Sequence, residues 1–136
     1  MIDDIYYLAQ PWRINPHQSF YNAVKWTYQL REMGYYIFSP ILHTHPYWNA
    51  LVEKTEQQYK KEEDWVEWDL KIMEALIPHI IILMSNTAYR INNRKEIGWL
   101  SLGCRLEYLF AVEKNIKIYE LEAFLNGHLR KINGGT

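Results

Sequence analysis

The run His79-Ile80-Ile81-Ile82-Leu83-Met84 is short, branched and apolar at every position after the histidine. A strand with one wet face would alternate polar and apolar residues. This one reads as a strand buried on both faces, as in the middle of a parallel sheet. Three more short runs fit the same sheet. Ile5-Tyr6-Tyr7-Leu8-Ala9 is stopped by Gln10-Pro11, Tyr35-Tyr36-Ile37-Phe38 is broken by Ser39-Pro40, and Ile116-Lys117-Ile118-Tyr119 follows later.

Helical patterns separate these runs. Asn15-Pro16 predicts a helix start, with Asn15 as cap and Pro16 in the first turn. From there to Met33, the residues Phe20, Ala23, Val24, Thr27, Tyr28, Leu30 and Arg31 give one stripe, and Gly34 ends the helix. A second helix spans residues 63–76, with Trp65, Trp68, Ile72, Met73 and Leu76 on its apolar side and Pro78 as its stop. A third starts near Ser101 and runs to about Asn115, and a short last one covers residues 120–131 before a frayed tail. Residues 41–48 read as a ring-rich loop, residues 49–62 as a polar helical excursion, and residues 85–98 as irregular. Strand and helix alternate throughout. Right-handed crossovers then give an α/β fold: a single Rossmann- or flavodoxin-like domain over residues 1–136, with a parallel sheet of four to five strands and helices on both faces. In such sheets ligands bind beyond the carboxyl ends of the strands. Here those ends are Gln10-Pro11-Trp12, residues 39–48, and Ser85-Asn86.

Composition narrows the function classes. A formal net charge of −1 supplies no basic field for a nucleic acid polymer. The single cysteine, Cys104, excludes an internal disulfide. The start Met1-Ile2-Asp3-Asp4 lacks the basic region of a signal peptide, and the apolar run around Ile80 is far too short for a membrane span. The expectation is a soluble, cytoplasmic protein with no membrane contact. Six Trp and 11 Tyr allow a core, a stacking pocket or a subunit interface. Trp26, Tyr28 and Tyr36 are assigned to the core.

One acidic side chain stands out in Ser101-Leu102-Gly103-Cys104-Arg105-Leu106-Glu107-Tyr108-Leu109-Phe110-Ala111. Helical spacing puts Glu107 on one face with Cys104, Tyr108 and Ala111. Pattern alone leaves two readings: a solvated glutamate paired with Arg105 or a lysine, or a carboxylate nucleophile held by a hydroxyl donor. Asp64 and Asp69 flank Trp65 and Trp68 and read either as a solvated helix face or as carboxylates beside a ligand. His43 and His45, two apart, have no metal-ligand set closing around them, so they line a pocket or pack on Tyr47 and Trp48. His79 packs by its strand, and His17 and His128 lie on the surface. No dinucleotide, phosphate-loop or serine-hydrolase glycine motif is present.

In order along the chain, these pieces resemble the nucleoside 2-deoxyribosyltransferase-like superfamily, nearest to a small branch found in bacterial and phage genomes. Ile5-Tyr6-Tyr7-Leu8-Ala9-Gln10-Pro11-Trp12 is similar to its Tyr-Leu-Ala-Gly-Pro-aromatic signature. Gly34, Phe38-Ser39-Pro40-Ile41 and His43-Thr44-His45-Pro46 look like its second strand and Ser-Pro-Ile-x-His-Ser-His loop. Asp64-Trp65 with Trp68-Asp69 resembles its tryptophan- and aspartate-bearing helix. Trp99, Ser101, Gly103, Glu107 and Ala111 look like its Gly-Trp-x-x-Ser-x-Gly-x-x-x-Glu-x-x-x-Ala segment. The likeness spans residues 5–119. Two departures are visible: Gln10 stands where the family has glycine, and Trp99 lies two residues before Ser101 rather than three.

The resemblance implies an N-glycosidic bond hydrolase or deoxyribosyltransferase acting on a nucleoside or nucleotide, through a glutamate that attacks the anomeric carbon. Glu107 is then the nucleophile. Tyr7 donates a hydrogen bond that orients it, and Asp69 binds a sugar hydroxyl or aids departure of the base. Ser101 and Gly103 offer a hydroxyl and amides at a helix start. Ser39, His43 and His45 shape the pocket mouth, with Gln10, Pro11, Trp12, Trp65, Ser85 and Trp99 as further ligand contacts. No metal or cofactor is implied. Family members assemble as homo-oligomers through aromatic-rich faces, which makes Trp26, Trp48, Trp65 and Trp99 interface candidates. The alternative is a non-catalytic protein that sequesters a nucleotide or an ADP-ribose-like signalling molecule, and a third reading is a purely structural domain.

Overall fold

The computed structural model describes residues 4–10, 16–44, 46, 62–76, 80–85 and 102–127. Strands β1 (Ile5–Ala9), β2 (Tyr36–Phe38), β3 (Ile80–Met84) and β4 (Ile118–Glu120) form one sheet in the order β2-β1-β3-β4. Every pairing is parallel, with Tyr7 in register with Phe38 on one side and Ile82 on the other, and Ile82 with Ile118. The two longest apolar runs thus take the two central positions, where a strand has no wet face. Among the described residues the helices are α1 (Pro16–Glu32), α2 (Pro40–His43), α3 (Glu62–Leu76), α4 (Leu102–Glu113) and α5 (Leu121–Leu125).

Alternate residues of each strand enter two separate cores, as a pleated backbone requires. Tyr7, Ala9, Ile80, Ile82, Met84 and Ile118 pack with Met73 of α3 and with Cys104 and Ala111 of α4. Leu8 and Leu83 pack with Leu30 of α1 and with Leu121 and Phe124 of α5. The fold is an α/β sheet with helices on both faces.

Local chemistry explains the element ends. Gly34 closes α1 at φ +96°, with its N–H on the Arg31 carbonyl and the Tyr35 N–H on the Leu30 carbonyl. That is the paired-bond termination a left-handed residue permits. Asn115 does the same for α4 at φ +62°, with the Ile116 N–H on the Ala111 carbonyl.

Five expectations need correction. Residues 40–43 form a helical turn rather than loop, because Ser39 caps it by accepting from the Leu42 N–H at 3.3 Å. Helix α1 carries two apolar lines rather than one: Ala23 and Leu30 are buried, whereas Phe20, Val24 and Tyr28 face outward. Tyr28 and Tyr36 are exposed, not core, and Trp26 is only half-buried against the second cluster. In α3 the buried line is Val66, Asp69 and Met73, and Trp68 is 46% exposed. Finally, Glu120 ends β4 rather than starting the last helix, and it is buried. The polar excursion at residues 49–62 lies almost wholly outside the described residues, as do His79, His128 and nearly all of residues 85–98.

Candidate functional site

The core between the sheet and helices α3 and α4 contains polar groups that an ordinary core would exclude. Tyr7 is fully buried at the middle of β1, and its side chain points to this face because Tyr6 and Leu8 take the other. Glu107 stands on α4 one turn after Cys104 and one turn before Ala111, both buried, so the helix turns the carboxylate inward. The Tyr7 hydroxyl donates to Glu107 Oε2. Glu107 is 5% exposed, which overturns the solvated-surface reading of this residue.

Asp69 is the second buried carboxylate, 1% exposed. It accepts from Thr44 Oγ1 at 2.8 Å. The same hydroxyl lies 3.0 Å from the Pro40 carbonyl, and its one hydrogen can serve only one of them at a time. Burial pushes the Asp69 carboxyl up to about 7, with the Thr44 hydrogen bond pulling partly the other way. Near that value, Asp69 exchanges its proton at neutral pH. When protonated, it can itself donate to Thr44, which frees Thr44 to bond Pro40. The Tyr7 hydroxyl is held well above its ordinary range, first by burial, then by the nearby charges of Glu107 and Asp69 and by its bond to Glu107. Tyr7 therefore stays a donor.

A row of rings leads outward from Tyr7. Phe38 lies 5.5 Å from it, and the exposed His43 ring stacks on Phe38 at 5.0 Å and 13°. His43 Nδ1 is 2.8 Å from the Ser39 carbonyl and 3.0 Å from the Ser39 N–H, and the tautomer decides which bond forms. Ser39 is fully buried and acts as the cap of α2. Its role is thus to set the turn that carries His43 and Thr44.

Of the residues singled out from sequence, Tyr7, Asp69, Glu107, Ser39 and His43 converge on this face of the sheet. Gly103 lies in the first turn of α4. Gln10 does not join them: its Nε2 donates to the Ser19 carbonyl on α1 at 3.2 Å, on the opposite face. The Gln10 side chain, expected as a ligand contact, is therefore turned toward α1 and away from Tyr7. Ser85 is buried at the end of β3, where its N–H donates to the Ala9 carbonyl. Pro11, Trp12, His45, Trp99 and Ser101, the side chains of Asp64 and Trp65, and Trp48 lie outside what the structure describes.

Sequence reasoning passed over Thr44 and Phe38 as site residues. Thr44 had a signal, since it sits between the two histidines of the quoted loop. Phe38 had none beyond its place in a strand. Among the described residues, no group of three or more His, Cys, Asp or Glu is placed to hold a metal ion, and no helix is long and apolar enough to cross a membrane.

No curated protein and no solved structure matches the chain. A family model does match, over residues 5–122, a span that holds all four strands together with Tyr7, Asp69 and Glu107. The family's description names no activity, so membership bears on the fold region and leaves the chemistry to the site. On that match the chain belongs to the family described as Domain of unknown function (DUF1937).

Proposed function

We propose that the protein breaks an N-glycosidic bond of a nucleoside or nucleotide, passing the sugar to water or to another base, with Glu107 as nucleophile. The observation that supports this most is the buried pair of Tyr7 and Glu107, in which a hydroxyl held well above its usual pKa orients a carboxylate. A carboxylate so held has its orientation fixed by the donor, as a nucleophile in a site needs. In this reading Glu107 forms a bond to the anomeric carbon as the carbon–nitrogen bond breaks. The electron pair leaves with the base. Asp69, poised near neutral pH, delivers a proton to the departing nitrogen and takes one back from the attacking water or acceptor in the second half-reaction. The likeness in the first strand, the Ser-Pro loop and the Glu107 segment supports the same assignment.

The test is incubation of the purified protein with a panel of nucleosides and their 5′-phosphates, followed by chromatography for free base. Base release is expected from wild type and is expected to vanish in Glu107→Ala while the circular dichroism spectrum is retained. Base release at the full rate in that variant would sink the proposal. Calorimetry on the same panel separates the alternative: tight binding of an unchanged ligand by wild type means sequestration rather than turnover.

A further inference from the structure

Asp69 is closed off from water on α3, yet the proposed function has it give up a proton and take one back. The partner of a buried carboxyl decides which of its two forms is favoured. A backbone N–H or a cation favours the charged form alone, and a carbonyl favours the acid alone. A hydroxyl serves both, because it donates to a carboxylate and accepts from an acid. Asp69 meets a hydroxyl. Thr44 Oγ1 lies 2.8 Å from Asp69 Oδ1, and both residues are buried.

The geometry points to Thr44 as a positioning residue that holds Asp69 through both of its protonation states and so makes it a reversible proton carrier. Thr44 closes α2 as its C-cap. Its hydroxyl reaches back to the Pro40 carbonyl, four residues earlier, at 3.0 Å. Such a back-bond is the habit of a threonine in a helical turn and limits its χ1 to few settings. The setting adopted here also brings Oγ1 to Asp69. The Pro40 carbonyl accepts the Thr44 N–H at 2.8 Å as well, so it keeps a bond when the hydroxyl hydrogen turns away. With Asp69 ionised, that hydrogen goes to the carboxylate. With Asp69 protonated, the acid hydrogen goes to Thr44 Oγ1 and the hydroxyl hydrogen to Pro40. Neither state strands a buried donor, and passing between them needs only a rotation of the hydroxyl.

Among the described residues, the elements around Asp69 present four other titratable groups: Tyr7 from β1, Cys104 and Glu107 from α4, and His43 from α2. Tyr7 keeps its proton and donates it to Glu107. Cys104 is buried in the apolar cluster, and His43 is exposed and stacks on Phe38. On α3 itself, Glu67, Lys71 and Glu74 are exposed. The hydrogen bond that acts on the Asp69 carboxyl is the one from Thr44, and it opposes the upward push of burial. The catalytic sense of this role rests on the proposed base release. The hold on the Asp69 proton does not, and it is measured without substrate.

Carbon NMR of the aspartate carboxyls reads that proton directly. The aspartates are Asp3, Asp4, Asp64 and Asp69, so the signal lost in Asp69→Asn is the one to follow. In wild type it is expected to titrate near 7. The Thr44 side-chain signals are expected to follow the same midpoint and to lose that response in Asp69→Asn. Thr44→Val keeps the shape, removes the hydroxyl, and is expected to raise the midpoint by about one pH unit, the scale of one hydrogen bond to a charged group. Thr44→Ser keeps the hydroxyl and is expected to titrate close to wild type. The limb of the base-release pH profile that follows Asp69 is expected to move with the same variants. A Thr44→Val midpoint equal to that of wild type overturns the proposal. So does a Thr44→Ser midpoint that moves as far as in Thr44→Val, because packing and not the hydroxyl is then at work. If Thr44→Val does not fold, wild-type Thr44 signals that ignore the Asp69 titration overturn the proposal equally. Absence of base release in wild type, with the carboxyl shifts present, overturns the proposed function and leaves the hold of Thr44 on Asp69 standing.

Discussion

A tyrosine hydroxyl close to two buried carboxylates constrains all three groups. Tyr7 cannot ionise beside Glu107 and Asp69, so its proton remains available to Glu107. Tyr7→Phe removes that hydrogen bond to a buried carboxylate. It is expected to cost about 1–3 kcal/mol of stability, read by urea unfolding. Under the proposed function it also slows base release more than it weakens ligand binding. Asp69 gives the clearest pH signature. Its folded carboxyl titrates near 7 rather than 3.8, so the folded state binds the proton more tightly than the unfolded chain. Its contribution to stability is therefore greatest below about pH 4, falls as pH rises through the window from about 4 to 7, and is level above that. Three units correspond to roughly 4 kcal/mol. Asp69→Asn removes the titration, so its unfolding free energy is expected to be flatter from pH 4 to 8 than that of wild type and higher at pH 8. An unchanged slope would mean that Asp69 is solvated or paired with a cation.

At the level of elements, the ends are local and the faces are not. Gly34 needs nothing beyond its own backbone: at φ +96° a Cβ would meet no atom within 4 Å, so only conformation disfavours a side chain there. Gly34→Ala is expected to cost about 1–2 kcal/mol, seen as a lower thermal midpoint with unchanged site behaviour. Helix α3 shows the opposite case. Its sequence offers two lines of similar promise, one through Trp65, Trp68 and Ile72 and one through Val66, Asp69 and Met73. The second one is buried. Thr44 makes this tolerable by giving Asp69 a partner, and that hydroxyl arrives from a helical turn 25 residues earlier in the chain. Periodicity in α3 cannot register a donor that reaches it only in three dimensions. Helix α1 repeats the lesson: Ala23 and Leu30 go inward because small and branched residues fit against the sheet, and the aromatic ridge is left outside.

The whole molecule is organised by its two central strands. β1 pairs on both sides and β3 does the same, whereas among the described residues β2 and β4 each pair on one side. Tyr7, Leu8, Ile82 and Leu83 are all fully buried. Amide exchange is thus expected to be slowest in β1 and β3 and faster in β2, which is three residues long and carries the exposed Tyr36. Equal protection across the four strands would contradict a core centred on β1 and β3. The same layout places the candidate site. α3 and α4 cover one face and α1 and α5 the other, and the Tyr7–Glu107 pair stands between the sheet and α4 on the first.

The sequence by itself determined the alternation of elements, the parallel sheet, and the strand limits to within a residue or two. These follow from side-chain branching, from the period of apolar residues and from the stops at Gln10, Gly34 and Ser39, all of which act within a few residues of chain. Together with the resemblance it also singled out Tyr7, Asp69 and Glu107. The tertiary structure decided what stands next to them. Only packing could bring Thr44 to Asp69, turn Gln10 toward α1, bury Glu120 and expose Trp68 and Tyr28, because each depends on which face of a helix or strand meets another element. A helix pattern records which residues share a face. It does not record which of two apolar faces the sheet will cover, since that is set by the volumes and hydrogen-bond partners supplied from elsewhere in the chain.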